Sequence, residues 1–97
     1  MSTIKRISDL LTAGNITAAR QLAERSYRQH PSVELLQVLA RIAHHEKRFA
    51  DAISCLQVVV HKQPTNRDAW TLLGTNQMML GDLIGAVHSF AKYSKRI

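Results

Sequence analysis

The chain has 97 residues, of which 45% are hydrophobic and 21% are charged, a globular composition that excludes a disordered chain. Thirteen Lys and Arg residues against seven Asp and Glu residues give a formal net charge of +6. This charge suits an acidic partner, such as a peptide, a nucleic acid or a membrane surface, but the spread of the basic residues along the chain favours a solvated basic surface with no specific ligand. The single cysteine, Cys55, excludes an internal disulfide bond, and no apolar stretch is long enough to span a membrane, so we expect a cytoplasmic protein.

Apolar residues recur at helical spacing along the chain, with short polar breaks between the periodic segments. This pattern predicts six helices in three pairs, near residues 3–13 and 16–29, 33–45 and 49–62, and 66–80 and 83–96. In the fourth of them, Ala52, Leu56 and Val59 lie three or four residues apart, as one buried face of a helix requires.

The two helices of each pair are joined by a short turn. Gly14 and Gly81 mark two of these turns, because glycine readily takes the left-handed conformation that ends a helix. Lys47 stands at the corresponding place in the second pair, where we expect it to strain or lengthen the turn. Asn15 and Asp82 follow the glycines and are predicted to cap the next helices.

Residues 67–90 repeat, by residue type, the residues 34 positions earlier. Large residues align with large ones and small with small: Trp70 with Leu36, Leu73 with Leu39, Gly74 with Ala40, Ala86 with Ala52, and Phe90 with Leu56. A further shift of 33 positions aligns Ala52 with Ala19 and Pro64 with Pro31. We therefore predict one domain over residues 1–97, built from three copies of a helix pair near 1–32, 33–66 and 67–97.

This unit resembles the tetratricopeptide repeat, whose signature is W-x₂-L-G-x₂-Y, then A-x₃-F and then P. Trp70-x₂-Leu73-Gly74 and Ala86-x₃-Phe90 match the signature, although Gln77 stands where an aromatic residue is usual. The second copy matches by residue type, and the first is the most divergent. The resemblance implies an all-α fold, a right-handed superhelical stack of three helix-turn-helix repeats known as an α-solenoid.

The resemblance also implies a function, that of a non-catalytic protein–protein interaction module acting as an adaptor, a scaffold or a small chaperone. In such proteins the first helix of each pair lines a concave groove that holds a peptide or a helical segment of the partner. Carried over to this chain, the groove comprises Glu34, Gln37, Arg41, His44, His45, Thr71, Thr75, Met78 and Met79, with Asp68, Ser8 and Leu11 beside them. We expect a basic, partly apolar floor that suits an extended peptide with an acidic or polar backbone face; a solvated polar face without a ligand is the alternative.

The C-terminal end is predicted to be a second association surface. Repeat arrays normally finish with a helix whose outer face is polar, and no seventh helix follows the third pair. Part of the last stacking face is therefore expected to stay uncovered, at Val87, Phe90, Ala91 and Ser94. A second copy of the chain, another protein or further chain are the candidate occupants.

Other chemistry is not favoured by the spacing of reactive side chains. His44, His45 and Glu46 are consecutive on a helix and diverge by about 100° each, so we expect no metal and no cofactor. Cys55 has no histidine at helical spacing to activate it, and no acid–base pair indicates an enzyme. Single-stranded nucleic acid remains the alternative ligand because of the basic surface, although the aromatic residues fall mostly on core or rear positions.

Overall fold

Six α-helices make up the fold in the computed structural model, which describes residues 2–92. The helices are α1 (Thr3–Thr12), α2 (Ile16–Gln29), α3 (Val33–His45), α4 (Phe49–Lys62), α5 (Arg67–Met79) and α6 (Leu83–Ala91). The described residues contain no strand. The all-α prediction is confirmed, and predicted helix ends differ from the structure by at most one residue up to the start of α6. The last part of the predicted sixth helix, residues 93–96, lies outside the described residues.

Side-chain caps begin the first helix of every pair. Ser2, Ser32 and Asn66 each accept a hydrogen bond from the backbone amide three residues further on, at 3.0–3.1 Å. Asp82 caps α6 in the same way, as predicted. Asn15 makes no such hydrogen bond, so the prediction for it was wrong, even though its backbone conformation is close to that of Asp82.

The three turns within the pairs share one geometry. Gly14, Lys47 and Gly81 have positive φ angles of 85°, 61° and 84°. In each turn the next residue donates its amide hydrogen to the carbonyl five residues before it, at 2.8–2.9 Å, which closes the helix end. Lys47 therefore strains its turn, as expected, but does not lengthen it, since the hydrogen bonds match those of the glycine turns.

Replacing Lys47 with glycine is expected to raise the free energy of unfolding by about 0.5–1 kcal/mol. The left-handed conformation costs a residue with a Cβ roughly 1–2 kcal/mol, and the greater freedom of glycine in the unfolded chain offsets part of this gain. Urea unfolding measures the difference. The reciprocal variant Gly81→Lys should lower the free energy of unfolding by a similar amount. A loss of stability in Lys47→Gly would contradict the interpretation that Lys47 is strained.

The hydrophobic core runs through the stack because α3 belongs to two clusters at once. Its residues Leu35, Val38 and Ile42 pack with Ile7 of α1 and the fully buried alanines of α2. The opposite side of α3 packs with α4 and α5 in a second cluster, formed by Ala40, Ala43, Ala52, Leu56, Val59, Val60, Ala69 and Leu73. Neighbouring repeats therefore share a core, as in a solenoid.

An ionic network joins the first two repeats at the turn between α3 and α4. Glu46 accepts hydrogen bonds from Arg20 of α2 at 3.0 Å and from Arg48 at 2.7 and 3.0 Å, and Arg48 also binds Asp51 at 2.8 Å. Burial of Glu46 opposes its ionisation, but the hydrogen bonds from Arg48 and Arg20 outweigh burial and lower the pKa of Glu46 below its ordinary value of 4.5.

Glu46→Gln is expected to lower the free energy of unfolding by about 1 kcal/mol at pH 7. A carboxyl group whose pKa is lowered by folding adds stability above its unfolded pKa, and this stability disappears as the pH falls through the folded pKa. The variant and the natural chain should therefore converge in acid, as thermal unfolding between pH 7 and pH 3 would measure. Glu24→Gln, on the same helix as Arg20, is the control, and its free energy of unfolding should stay close to that of the natural chain at either pH.

Candidate peptide-binding groove

A shallow cavity lies between the first helices of the second and third repeats. Its lining comes from Gln37 and Arg41 of α3 and from Asp68, Thr71, Leu72 and Thr75 of α5, and its volume is about 240 Å³. Cavities that enclose whole small molecules are usually larger, roughly 300–1,000 Å³. This one has room for one or two side chains of an extended segment.

Hydrogen bonds within the helices determine what the groove offers to a ligand. The Thr75 hydroxyl donates to the Thr71 carbonyl at 2.9 Å, so its oxygen remains available as an acceptor. The Gln37 side-chain carbonyl already accepts from the Asn66 amide at 2.9 Å, which leaves the Gln37 NH₂ group as a donor. One edge of the groove thus donates and the other accepts, a pattern that matches the alternating N–H and C=O groups of a peptide.

Arg41 and Asp68 place opposite charges on the two walls of the groove. Both side chains are exposed, and neither forms an ion pair within residues 2–92. Asp68 lies in the first turn of α5, where the helix dipole favours a negative charge. The cavity therefore offers both a positive and a negative charge to a ligand.

The structure brings five of the predicted groove residues together and leaves the others apart. The five that line the cavity are Gln37, Arg41, Asp68, Thr71 and Thr75, whereas Glu34, His45, Met78 and Met79 are exposed elsewhere along α3 and α5. Ser8 and Leu11 are half-buried on α1. Leu72 was not predicted to line the groove; its position corresponds to the buried Val38 of the second repeat.

His44, which was predicted to lie on the groove floor, is half-buried where the second and third repeats meet and does not line the cavity. Asn76 is fully buried, and its NH₂ group donates to the Leu72 carbonyl at 2.7 Å. The Asn76 carbonyl oxygen is thus the atom that faces His44 Nδ1 at 3.0 Å, and Nδ1 must carry the proton. The His44 ring also contacts Phe49, with ring centroids 5.6 Å apart. This residue holds neighbouring repeats together.

At the C-terminal end, the predicted surface is only partly exposed. Val87 and Ala91 are exposed, but the half-buried Phe90 turns its ring toward α5, where a Cβ added to Gly74 would lie 2.6 Å from Phe90 Cε1. Ser94 lies outside the described residues. Leu83 and Ile84, which were not predicted, are exposed on the same helix.

The residues considered above as metal ligands and as a nucleophile have structural roles. His44 and Glu46 bind Asn76 and the arginine network respectively, and the described residues contain no group of three possible metal ligands. Cys55 is half-buried, and burial, together with the nearby Asp51 carboxylate, raises the pKa of its thiol and so lowers its reactivity at neutral pH.

The surface also lacks the features that single-stranded nucleic acids usually stack on. All four aromatic side chains in residues 2–92 are at least half-buried; they are Tyr27, Phe49, Trp70 and Phe90. Trp70 also donates its ring N–H to the Pro64 carbonyl at 2.8 Å. Within the same residues, none of the helices is both long and apolar enough to cross a membrane.

Comparison with known proteins agrees with the repeat architecture. The family described as tetratricopeptide repeat matches residues 10–75, about two thirds of the chain, from the end of α1 into α5. No curated protein matches the sequence. Tetratricopeptide repeats generally mediate protein–protein interactions and are generally non-catalytic. With six helices in three pairs and this match, the chain belongs to the tetratricopeptide repeat family.

Proposed function

We propose that this chain is a non-catalytic interaction module that binds, in the groove between α3 and α5, an extended segment of a partner protein that carries an acidic residue. The observation that carries the proposal is the exposed guanidinium of Arg41, which lines the cavity without an ion-pair partner in residues 2–92. A planar guanidinium binds a carboxylate through two parallel hydrogen bonds, which favours a Glu or Asp side chain of the partner.

The other groove residues suit the backbone of the same segment. The Gln37 amide donates to a peptide carbonyl, and the Thr75 hydroxyl oxygen accepts from a peptide N–H. Asp68 on the opposite wall accepts from a backbone amide or from a lysine of the partner. The preferred ligand is therefore an extended segment with an acidic residue, rather than a uniformly acidic one.

The biological role follows from binding rather than from chemistry. We propose that residues 1–97 act as one domain that serves as an adaptor, a scaffold or a small chaperone in the cytoplasm. The exposed C-terminal end, around Val87 and Ala91, is a second association surface of the same module.

Peptide selection followed by charge reversal tests the groove. A peptide library displayed on phage is selected against the natural chain, and we expect enriched sequences to contain Asp or Glu. Arg41→Glu should weaken binding of a selected peptide at least about tenfold in fluorescence anisotropy, the size expected for one bidentate charged contact. Its melting temperature should stay nearly unchanged because Arg41 is exposed.

Arg25→Glu is the matched control. Arg25 is exposed on α2, away from the groove, so this substitution changes the net charge by the same amount as Arg41→Glu. Equal weakening by both variants would mean that only the overall charge matters, and no weakening by Arg41→Glu would exclude the groove as the binding site.

A further inference from the structure

Exposed apolar side chains are concentrated at one end of the molecule. Of the seven large hydrophobic residues exposed in the described part of the chain, six lie between residues 78 and 87: Met78, Met79, Leu80, Leu83, Ile84 and Val87. Ile84 is 87% exposed and Val87 68%. We call these six residues the apolar end. The seventh, Val58, lies on α4.

Three residues of the apolar end occupy positions that, in the second repeat, form the contact with the next repeat. Met78, Leu83 and Val87 correspond, 34 positions earlier, to His44, Phe49 and Ile53. Those three are half-buried between the second and third repeats: His44 bonds to Asn76 of α5, Phe49 contacts the His44 ring, and Ile53 packs on the core shared with α5. This half of the surface has the shape of a repeat-stacking face.

The other half is not explained by stacking. Met79, Leu80 and Ile84 lie at the edge formed by the turn between the two helices of the third repeat. The equivalent residues are His45, Glu46 and Ala50 in the second repeat and Thr12, Ala13 and Thr17 in the first, all of them polar or small. Both of those repeats have a following repeat, yet five of the six residues stay exposed. A following repeat would therefore leave this edge in water.

We propose that the apolar end is a homodimer interface, in which it packs against the same surface of a second copy about a two-fold axis. With roughly 150–200 Å² for each side chain when fully exposed, the six residues present about 650 Å² of apolar surface, close to the roughly 800 Å² per partner of a stable interface. None of the six is charged, so self-association brings no like charges together within the patch despite the net charge of +6.

The helix dipoles favour one orientation of the pairing. Within each copy Asp82 accepts the Gly85 amide hydrogen at 3.0 Å, and the Lys92 ammonium lies 5.4 Å from the centroid of the Trp70 ring, so the orientation rests on the dipoles. In an antiparallel pairing of the two α6 helices the dipoles oppose each other, whereas a parallel pairing would bring like helix ends together. This arrangement is an isologous contact, which closes at two copies.

Sedimentation velocity on the full chain, from about 1 to about 200 μM, tests the dimer. The natural chain should shift from monomer to dimer with rising concentration and stop there. Ile84→Glu should remain monomeric, with its dimer dissociation constant raised at least about a hundredfold, since it buries a charge in an apolar contact. Ala50→Glu places the same charge at the equivalent exposed position of the second repeat and should dimerise as the natural chain does.

A triple variant separates the interface from the fold. Met79→His, Leu80→Glu and Ile84→Ala together install the residues of the second repeat, which the same turn geometry already accommodates. This variant should be monomeric with an unchanged far-ultraviolet circular dichroism spectrum. A natural chain that stays monomeric throughout, a dimer that survives Ile84→Glu, or species that grow beyond a dimer would each overturn the proposal.

The inference deepens the proposed association at the C-terminal end by naming its partner as a second copy. The dimer interface is independent of the groove, so each of the two proposals can be disproved without affecting the other. Arg41→Glu should dimerise like the natural chain, and the monomeric triple variant should still bind a peptide selected against the groove.

Discussion

Replacing Leu56 with alanine is expected to lower the free energy of unfolding by about 3 kcal/mol. Leu56 is completely buried in the cluster formed by α3, α4 and α5, so the change loses both its burial and the packing around it. For a chain of this length, which is expected to have about 5–10 kcal/mol of stability, that loss lowers the melting temperature by roughly 12–20 °C.

Val58→Ala on the same helix is the control for this prediction. Val58 is exposed, so its truncation should cost less than about 0.5 kcal/mol in the same urea titration. Equal losses in the two variants would mean that Leu56 does not lie in a core shared by the second and third repeats.

Gly74 and Phe90 are expected to be coupled by about 1–2 kcal/mol. A Cβ on Gly74 would lie 2.6–2.8 Å from three atoms of the Phe90 ring, so Gly74→Ala forces the ring to move. Overpacking of this kind costs roughly 1–3 kcal/mol, more than the gain of about 1 kcal/mol from replacing glycine within a helix. At the equivalent positions the second repeat has a different pair of residues, Ala40 and Leu56.

A double-mutant cycle measures this coupling. Gly74→Ala alone and Phe90→Leu alone should each destabilise the protein, the first by overpacking and the second by leaving a space. The double variant, which reproduces the pair of the second repeat, should recover most of the loss. Additive effects, or a gain in stability from Gly74→Ala alone, would show that the ring and the glycine are not in close contact.

The helices could be predicted from the sequence because their signals are local and repeated three times. Apolar spacing and equivalent turn positions placed every helix start within one residue, and Lys47 was recognised as strained because it stands where the other repeats have glycine. These properties depend on a few neighbouring residues, which a repeat presents several times over.

Side-chain orientation between helices could not be predicted in the same way. The hydrogen bond between His44 and Asn76 could not be predicted, because Asn76 is 32 residues away and breaks the apolar pattern of the repeat. Gln77, which replaces the usual aromatic residue, likewise pairs with the buried Ser89 at 2.7 Å. A polar residue in one repeat is compensated by a polar residue elsewhere, and only the three-dimensional arrangement identifies the partner.

The candidate sites were predicted to different extents. The resemblance to tetratricopeptide repeats was enough to place Gln37, Arg41 and Thr75 on one side of the stack, and the structure brings all three to one cavity. Ile84 could not be predicted from the family signature, because residue 84 is not a signature position. The signal that marks it lies within the chain itself, since only the third of the three turns is apolar.

The most direct test of the proposed function is to locate the bound peptide by nuclear magnetic resonance. A peptide selected against the natural chain is titrated into the ¹⁵N-labelled protein, and the shifts of the backbone amides are followed. We expect the largest changes in the groove, at Gln37, Arg41 and Thr75, and much smaller ones on α2 and α4. Changes confined to α2, α4 or the end of α6, with the groove amides unperturbed, would contradict binding between α3 and α5.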